Sequence, residues 1–129
     1  MHVATGAAGG AAAGSRTAAL VLGPVLHAAC DRIPHEDIPS RRFEIASGLT
    51  LLGLLALMRG PLDPTVLGAA AASAPDLEHV LPLPKPGGKR LFPTHRIEGW
   101  HRAGGVSAHV QLLAAGVIVG LLLRPRKEI

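Results

Sequence analysis

With 129 residues, 48% of them hydrophobic but only 2% aromatic and 17% charged, the chain is sized for one domain and too apolar to be disordered. Its formal charge of +4 comes without the aromatics that stack on nucleic-acid bases, so nucleic acid is not an expected partner, and the lone Cys30 excludes an internal disulfide framework. Ala, Leu and Val replacing aromatics, with few charges, describe a small all-α protein packed through little side chains, in or on a membrane.

The first predicted helix, about 3–13, is almost entirely Ala and Gly. Gly6, Gly10 and Gly14 recur every four residues, a stripe that lets helices approach closely in lipid. The segment Gly14-Ser15-Arg16-Thr17 interrupts it, and Ser15 or Thr17 can cap a second helix over 17–31, with Pro24 as a kink point. Residues 3–30 form either one bent helix or a hairpin turning at Gly14–Thr17. A polar loop, 32–42, holds Pro34 and Pro39. The third helix, 43–59, contains the run from Leu49 to Met58, apolar on every face, and Arg59-Gly60-Pro61 ends it. The fourth, 65–80, opens just after Pro64 and passes through Gly68–Ala74 to Pro75. A second polar loop, 81–102, is broken by Pro82, Pro84, Pro86, Gly87 and Gly88. The last helix, 103–123, has no Lys, Arg, Asp or Glu and reaches the roughly 20 residues a lipid-spanning helix needs. Basic residues fall in the breaks, at Arg41-Arg42, Lys89-Arg90 and Arg124-Pro125-Arg126-Lys127, as in membrane proteins. The expected fold is therefore an all-α integral-membrane bundle of four to five helices with a polar face at one end.

Histidines and acids are unevenly placed. His27 and Asp31 lie one helical turn apart on one face, followed by His35 and Asp37. Asp76, Glu78 and His79 end the fourth helix, and His95 and His101 precede the last one. If each long helix crosses the layer, His27, Asp31, His35, Asp76, His79, His95 and His101 converge on one side. Imidazole and carboxylate are the donors that Zn, Mn or Fe sites use, and more than four candidates suit a two-metal site or a supporting shell. Taken singly, each has an ordinary role: a histidine at a helix end pairs with the dipole, and His109, inside the last helix, reads as a packed core residue. Jointly they read as one metal site.

On these residues the chain resembles the small bacterial inner-membrane proteins classed as membrane-bound, metal-dependent hydrolase-like, and more remotely zinc-dependent phospholipase C. His2-x3-Gly6 matches that family's N-terminal His with small residues, and His27-x3-Asp31 its helical His-x3-Asp, continued here by Ile33-Pro34-His35-Glu36-Asp37. Pro75-Asp76-Leu77-Glu78-His79 matches its Pro-Asp-[Ile/Leu]-Asp-His signature with Glu for Asp. His95-Arg96…His101 matches part of a His-Arg-Gly-x-Thr-His element, one residue longer and without its Gly and Thr. The His-x3-Asp element precedes the Pro-Asp signature here rather than lying near the C-terminus. The resemblance adds His2 to the ligand set, favours the hairpin that returns His2 to the site, and implies zinc, one or two ions, in an inner-membrane protein. It also implies a phosphoester or lipid-headgroup substrate, with membrane lipid as partner. Glu78 or Asp37 is then the expected general base, and Arg96 or Lys89 the group that holds the substrate phosphate. The excess of Lys and Arg near the site points that side to the cytoplasm. The alternative is a non-enzymatic membrane protein with a structural metal or polar cluster.

Overall fold

Gly14 takes the left-handed conformation at φ +67° and terminates α1 (His2–Ala13). The Ser15 hydroxyl then accepts from the Ala18 N–H and starts α2 (Arg16–Arg32), so residues 2–32 form the hairpin and not one bent helix. Ser40 caps α3 (Arg41–Arg59), and Asp63, followed by Pro64 at the first helical position, opens α4 (Pro64–Ser73). A 3₁₀ turn at Ala74–Asp76 leads into a single helical turn, α5 (Leu77–Val80). Two further 3₁₀ turns, Pro86–Gly88 and Pro93–Arg96, punctuate the long loop before α6 (Ala108–Leu122). This computed structural model describes residues 1–124; the basic pair Arg126-Lys127 lies outside them. It is all-helical, with no strand among the described residues.

Helix α4 is the hub, with α1 and α2 packed extensively on it and on each other, while α3 touches α4 and α6 touches α1. Small residues make this possible. A Cβ on Gly68 would lie 2.9 Å from the Gly10 Cα, and one on Gly23 would lie 2.6 Å from the Ala71 methyl. The core is correspondingly thin: Ala7, Leu55, Val66 and Ala69 form one cluster, and Ala4, Ala115 and Val119 another. Larger apolar side chains stay on the outer faces of α2, α3 and α6, among them Val21, Leu57 and Leu113.

The expectation of an integral inner-membrane bundle, with its site facing the cytoplasm, is overturned. No helix among the described residues is long and apolar enough to cross a membrane. Helix α6 was expected over 103–123, but Gly104 and Gly105 both adopt φ +83°, and Ser107 caps the helix only at Ala108. Its 15 residues rise about 22 Å against a hydrocarbon core of about 30 Å. Helix α3 has 19 residues, but Arg41, Arg42, Glu44 and Arg59 occupy its ends. The fourth predicted helix is cut at Ser73 by the turn around Pro75.

Candidate metal centre

Two loops are pinned beneath the helix ends. Residues 34–36 pair with 102–106: His35 N–H donates to Arg102 O at 3.2 Å, Val106 N–H to Pro34 O at 3.0 Å and Glu36 N–H to Val106 O at 2.9 Å. The approach is so close that a Cβ on Gly105 would meet Pro34 at 2.9 Å. The Glu36 carboxylate accepts from Ala108 N–H at the start of α6, and Gln111 Nε2 donates to Glu36 O. Further along, the Trp100 indole N–H donates to Ala28 O at 2.9 Å, with Arg32 stacked on the ring. These contacts carry His35, His95 and His101 back to the helix ends.

Asp31, 4% exposed, is the centre of the arrangement. Its Oδ1 lies 3.4 Å from His2 Nε2; its Oδ2 lies 3.1 Å from His27 Nε2 and 3.6 Å from His95 Nε2. Asp76 adds a second carboxylate, 3.7 Å from His27 Nε2 and 3.8 Å from His2 Nε2, and is 41% exposed, so the site opens to solvent on its side. His27 is fully buried and donates Nδ1–H to Ala72 O at 2.8 Å. A carbonyl can only accept, so the Nδ1 proton is fixed and Nε2 is the lone-pair atom of the neutral ring. His95 is arranged likewise, with its Nδ1 on the Glu78 carboxylate. The two Nε2 atoms then face each other at 3.3 Å. Neither can donate to the other while both rings are neutral, and the nearest third atom is a carboxylate oxygen. Three electron-pair donors at separations of 3.1, 3.3 and 3.6 Å are matched by a cation between them, either a metal ion or the proton that makes His27 an imidazolium donating to Asp31. Metal bonds of about 2.1 Å place tetrahedral donors about 3.4 Å apart, which fits this trio.

Among the described residues, four groups of side chains are close enough to hold an ion: His2, His27 and Asp76; His27, Asp31 and His95; Asp31, His35 and His101; and Asp76, His79 and His95. Asp31 and Asp76 each belong to two groups, as a bridging carboxylate does. His2 Nδ1 is buried without a hydrogen-bond partner among the described residues. Every residue expected as a ligand therefore falls in at least one group. His109, expected in the core, is instead exposed on α6.

The electrostatics follow from this geometry. Burial pushes the Asp31 carboxyl up, but hydrogen bonds and charge from His2 and His27 outweigh it and hold it far below the usual carboxylate range. Burial opposes charge on His27, and Asp31 and Asp76 overcome it, so its pKa is raised. His2 and His79 are pushed down, each mainly by burial, with Arg90 adding to the effect at His79. Burial also works against the Glu78 charge, yet His95 and the Leu91 and Phe92 amides hold its pKa low.

Of the other expected residues, Asp37 is 82% exposed, 3.6 Å from His101 Nε2. Glu78 is nearly buried, with its carboxylate taken up by His95 and the loop amides. Arg96 turns its guanidinium onto the Arg90 and Leu91 carbonyls, and Lys89 is exposed. Two residues at the site carry no signal in the motifs. Arg90 reaches the His79 ring, and Phe92 stands edge-on to His27 and His95 at centroid distances of 5.3 and 5.2 Å. Only the fold of the 81–102 loop aims them there. Comparison with known proteins finds no matching family model, no matching curated protein and no matching solved structure.

Proposed function

We propose that the chain is a metal-dependent hydrolase of phosphoesters, with zinc bound among His27, Asp31 and His95 and a second ion drawn from the remaining groups. The observation that carries this reading is the trio of facing lone pairs on His27, His95 and Asp31, a donor set suited to zinc. The substrate class rests on the resemblance to the hydrolase-like family. A divalent ion in such a site supplies Lewis acidity and lowers the pKa of water. The chain supplies the rest. Asp31 and Asp76 balance charge, and the half-exposed Asp76 leaves an approach for substrate. Asp37 is the solvent-facing carboxylate able to take a proton, since the Glu78 carboxylate is already engaged. Arg90, beside His79 at that opening, is the cation placed to meet a phosphoryl oxygen.

A structural ion is the second reading, favoured by the complete burial of His27 and near-complete burial of Asp31. Metal content of the purified protein, followed by hydrolysis of bis(p-nitrophenyl) phosphate by wild type, Asp31→Ala and His79→Ala, separates the two. The hydrolase reading expects bound zinc and turnover that both substitutions abolish with the helices retained. Unfolding on chelation with no turnover supports the structural ion, and a protein that binds no divalent metal overturns both.

A further inference from the structure

The long 81–102 loop brings His95 to the cluster, yet little of it is anchored by apolar burial. Leu81, Leu91 and Ile97 are all exposed. Beside the Arg90 contact to His79 and the Phe92 ring against His27, one carboxylate gathers the backbone at the middle of the loop. Glu78, on the single turn α5, accepts from the backbone N–H groups of Leu91, at 2.5 Å, and Phe92, at 3.4 Å, and also from His95 Nδ1–H. Its side chain is 5% exposed, beside a His95 that is 8% exposed. A buried carboxylate needs compensation, and two amides with one imidazole N–H provide it. The same contact decides which nitrogen of His95 faces Asp31 and His27. Without a carboxylate at Nδ1, the ring proton is free to move to Nε2, and the loop loses the contact that holds the ring in place.

We infer that Glu78 is a positioning residue: it fixes the His95 tautomer and docks segment 91–96, so that ion binding and loop docking stabilise each other. The inference rests on the metal reading above and assigns Glu78 a role other than general base. It implies that Glu78 holds the backbone of the metal-free loop beside the Arg90–His79 and Phe92–His27 contacts, and that an ion at His95 Nε2 tightens the clasp from the other side of the ring. Trp100, the only tryptophan, lies five residues beyond His95 and reports docking by its own fluorescence.

The test is a double-mutant cycle on zinc affinity, measured by competition with a chromophoric chelator, in wild type, Glu78→Gln, His95→Ala and the double variant. Far-UV circular dichroism checks that each retains its helices. Glu78→Gln keeps the shape and removes the charge; it is expected to weaken zinc binding about 10- to 100-fold, the usual effect of losing a carboxylate partner of a metal-bound histidine. It should also lose the zinc-induced change in Trp100 fluorescence. In the His95→Ala background the same substitution should cost less than about twofold, because its effect passes through His95. Glu78→Asp, which keeps the charge but is one methylene shorter, stands in if the Gln variant does not fold. Equal losses in both backgrounds would overturn the assignment and make Glu78 either a ligand or a fold determinant. Wild-type binding that depends on His95 but is untouched by either Glu78 substitution would sink this inference alone. A wild type that binds no metal would sink it together with the hydrolase reading.

Discussion

Gly10 offers a direct test of how the site is assembled. It faces α4 from α1, and a Cβ there would lie 2.8 Å from the Pro64 carbonyl carbon and 3.2 Å from the Gly68 Cα, with the Pro64 oxygen nearer still. All three are backbone atoms, so no side chain can turn aside and the helices themselves must separate. Overpacking of that kind costs about 1–3 kcal/mol, and the upper end applies where backbone must move. Against it, Gly→Ala inside a helix gains about 1 kcal/mol of propensity. Gly10→Ala is therefore expected to destabilise by about 2 kcal/mol. With an unfolding entropy of about 0.27 kcal/mol/K for a chain of this length, Tm falls by about 7 °C. Gly116 on α6 is the control: among the described residues a Cβ there meets nothing within 4 Å, so Gly116→Ala gains only the propensity and should raise Tm by about 4 °C. Thermal melts by circular dichroism at 222 nm read both. Since α1 also carries His2, Gly10→Ala should weaken zinc binding as well, whereas Gly116→Ala should not. A Gly10→Ala protein as stable as the Gly116→Ala protein would refute the close packing of α1 on α4.

Three more outcomes follow from the site. Zinc at about 100 times its dissociation constant should add about 2.7 kcal/mol, or about 10 °C in Tm, and Asp31→Asn should remove most of that shift; an unshifted wild type counts against the metal centre. Without metal, the low folded-state pKa values of Asp31 and Glu78 give stability that is present above their ordinary values of 3.8 and 4.5 and lost as pH falls below them. The depressed values of His2 and His79 add stability present above 6.5 and lost below it, whereas the raised value of His27 acts in reverse, its contribution being complete below 6.5 and lost above its folded value. Urea melts from pH 3 to 8 should therefore show the steepest loss below about pH 4.5; flat stability through that range would contradict the carboxylate contacts. Finally, Arg90→Ala should raise KM for a phosphoester about tenfold, the loss of one charge-assisted hydrogen bond, while Lys89→Ala changes it less than about threefold; the opposite ranking would move the anion contact to Lys89.

The sequence by itself determined most of the helix starts and named the candidate metal donors. Glycine and serine at 14–15 and Pro64 are local signals: they act through the backbone of their own neighbours, so they can be read without knowing the fold. His27 and Asp31 were legible as a pair for the same reason, since four residues on a helix place two side chains together wherever that helix goes. The membrane reading failed because it rested on counting apolar residues. Composition does not reveal that Gly104 and Gly105 turn the chain before α6 begins, or that α3 has charged ends. Tertiary structure also decided how the histidines are used. Which nitrogen of His27 faces Asp31 depends on a carbonyl 45 residues away, at Ala72. Which nitrogen of His95 faces the cluster depends on Glu78, and the arrival of His35 and His101 depends on loop pairing across Pro34 and Val106. Hydrogen-bond donors and acceptors are matched across the fold and not along the chain, so the sequence named the side chains while packing set the direction of their lone pairs.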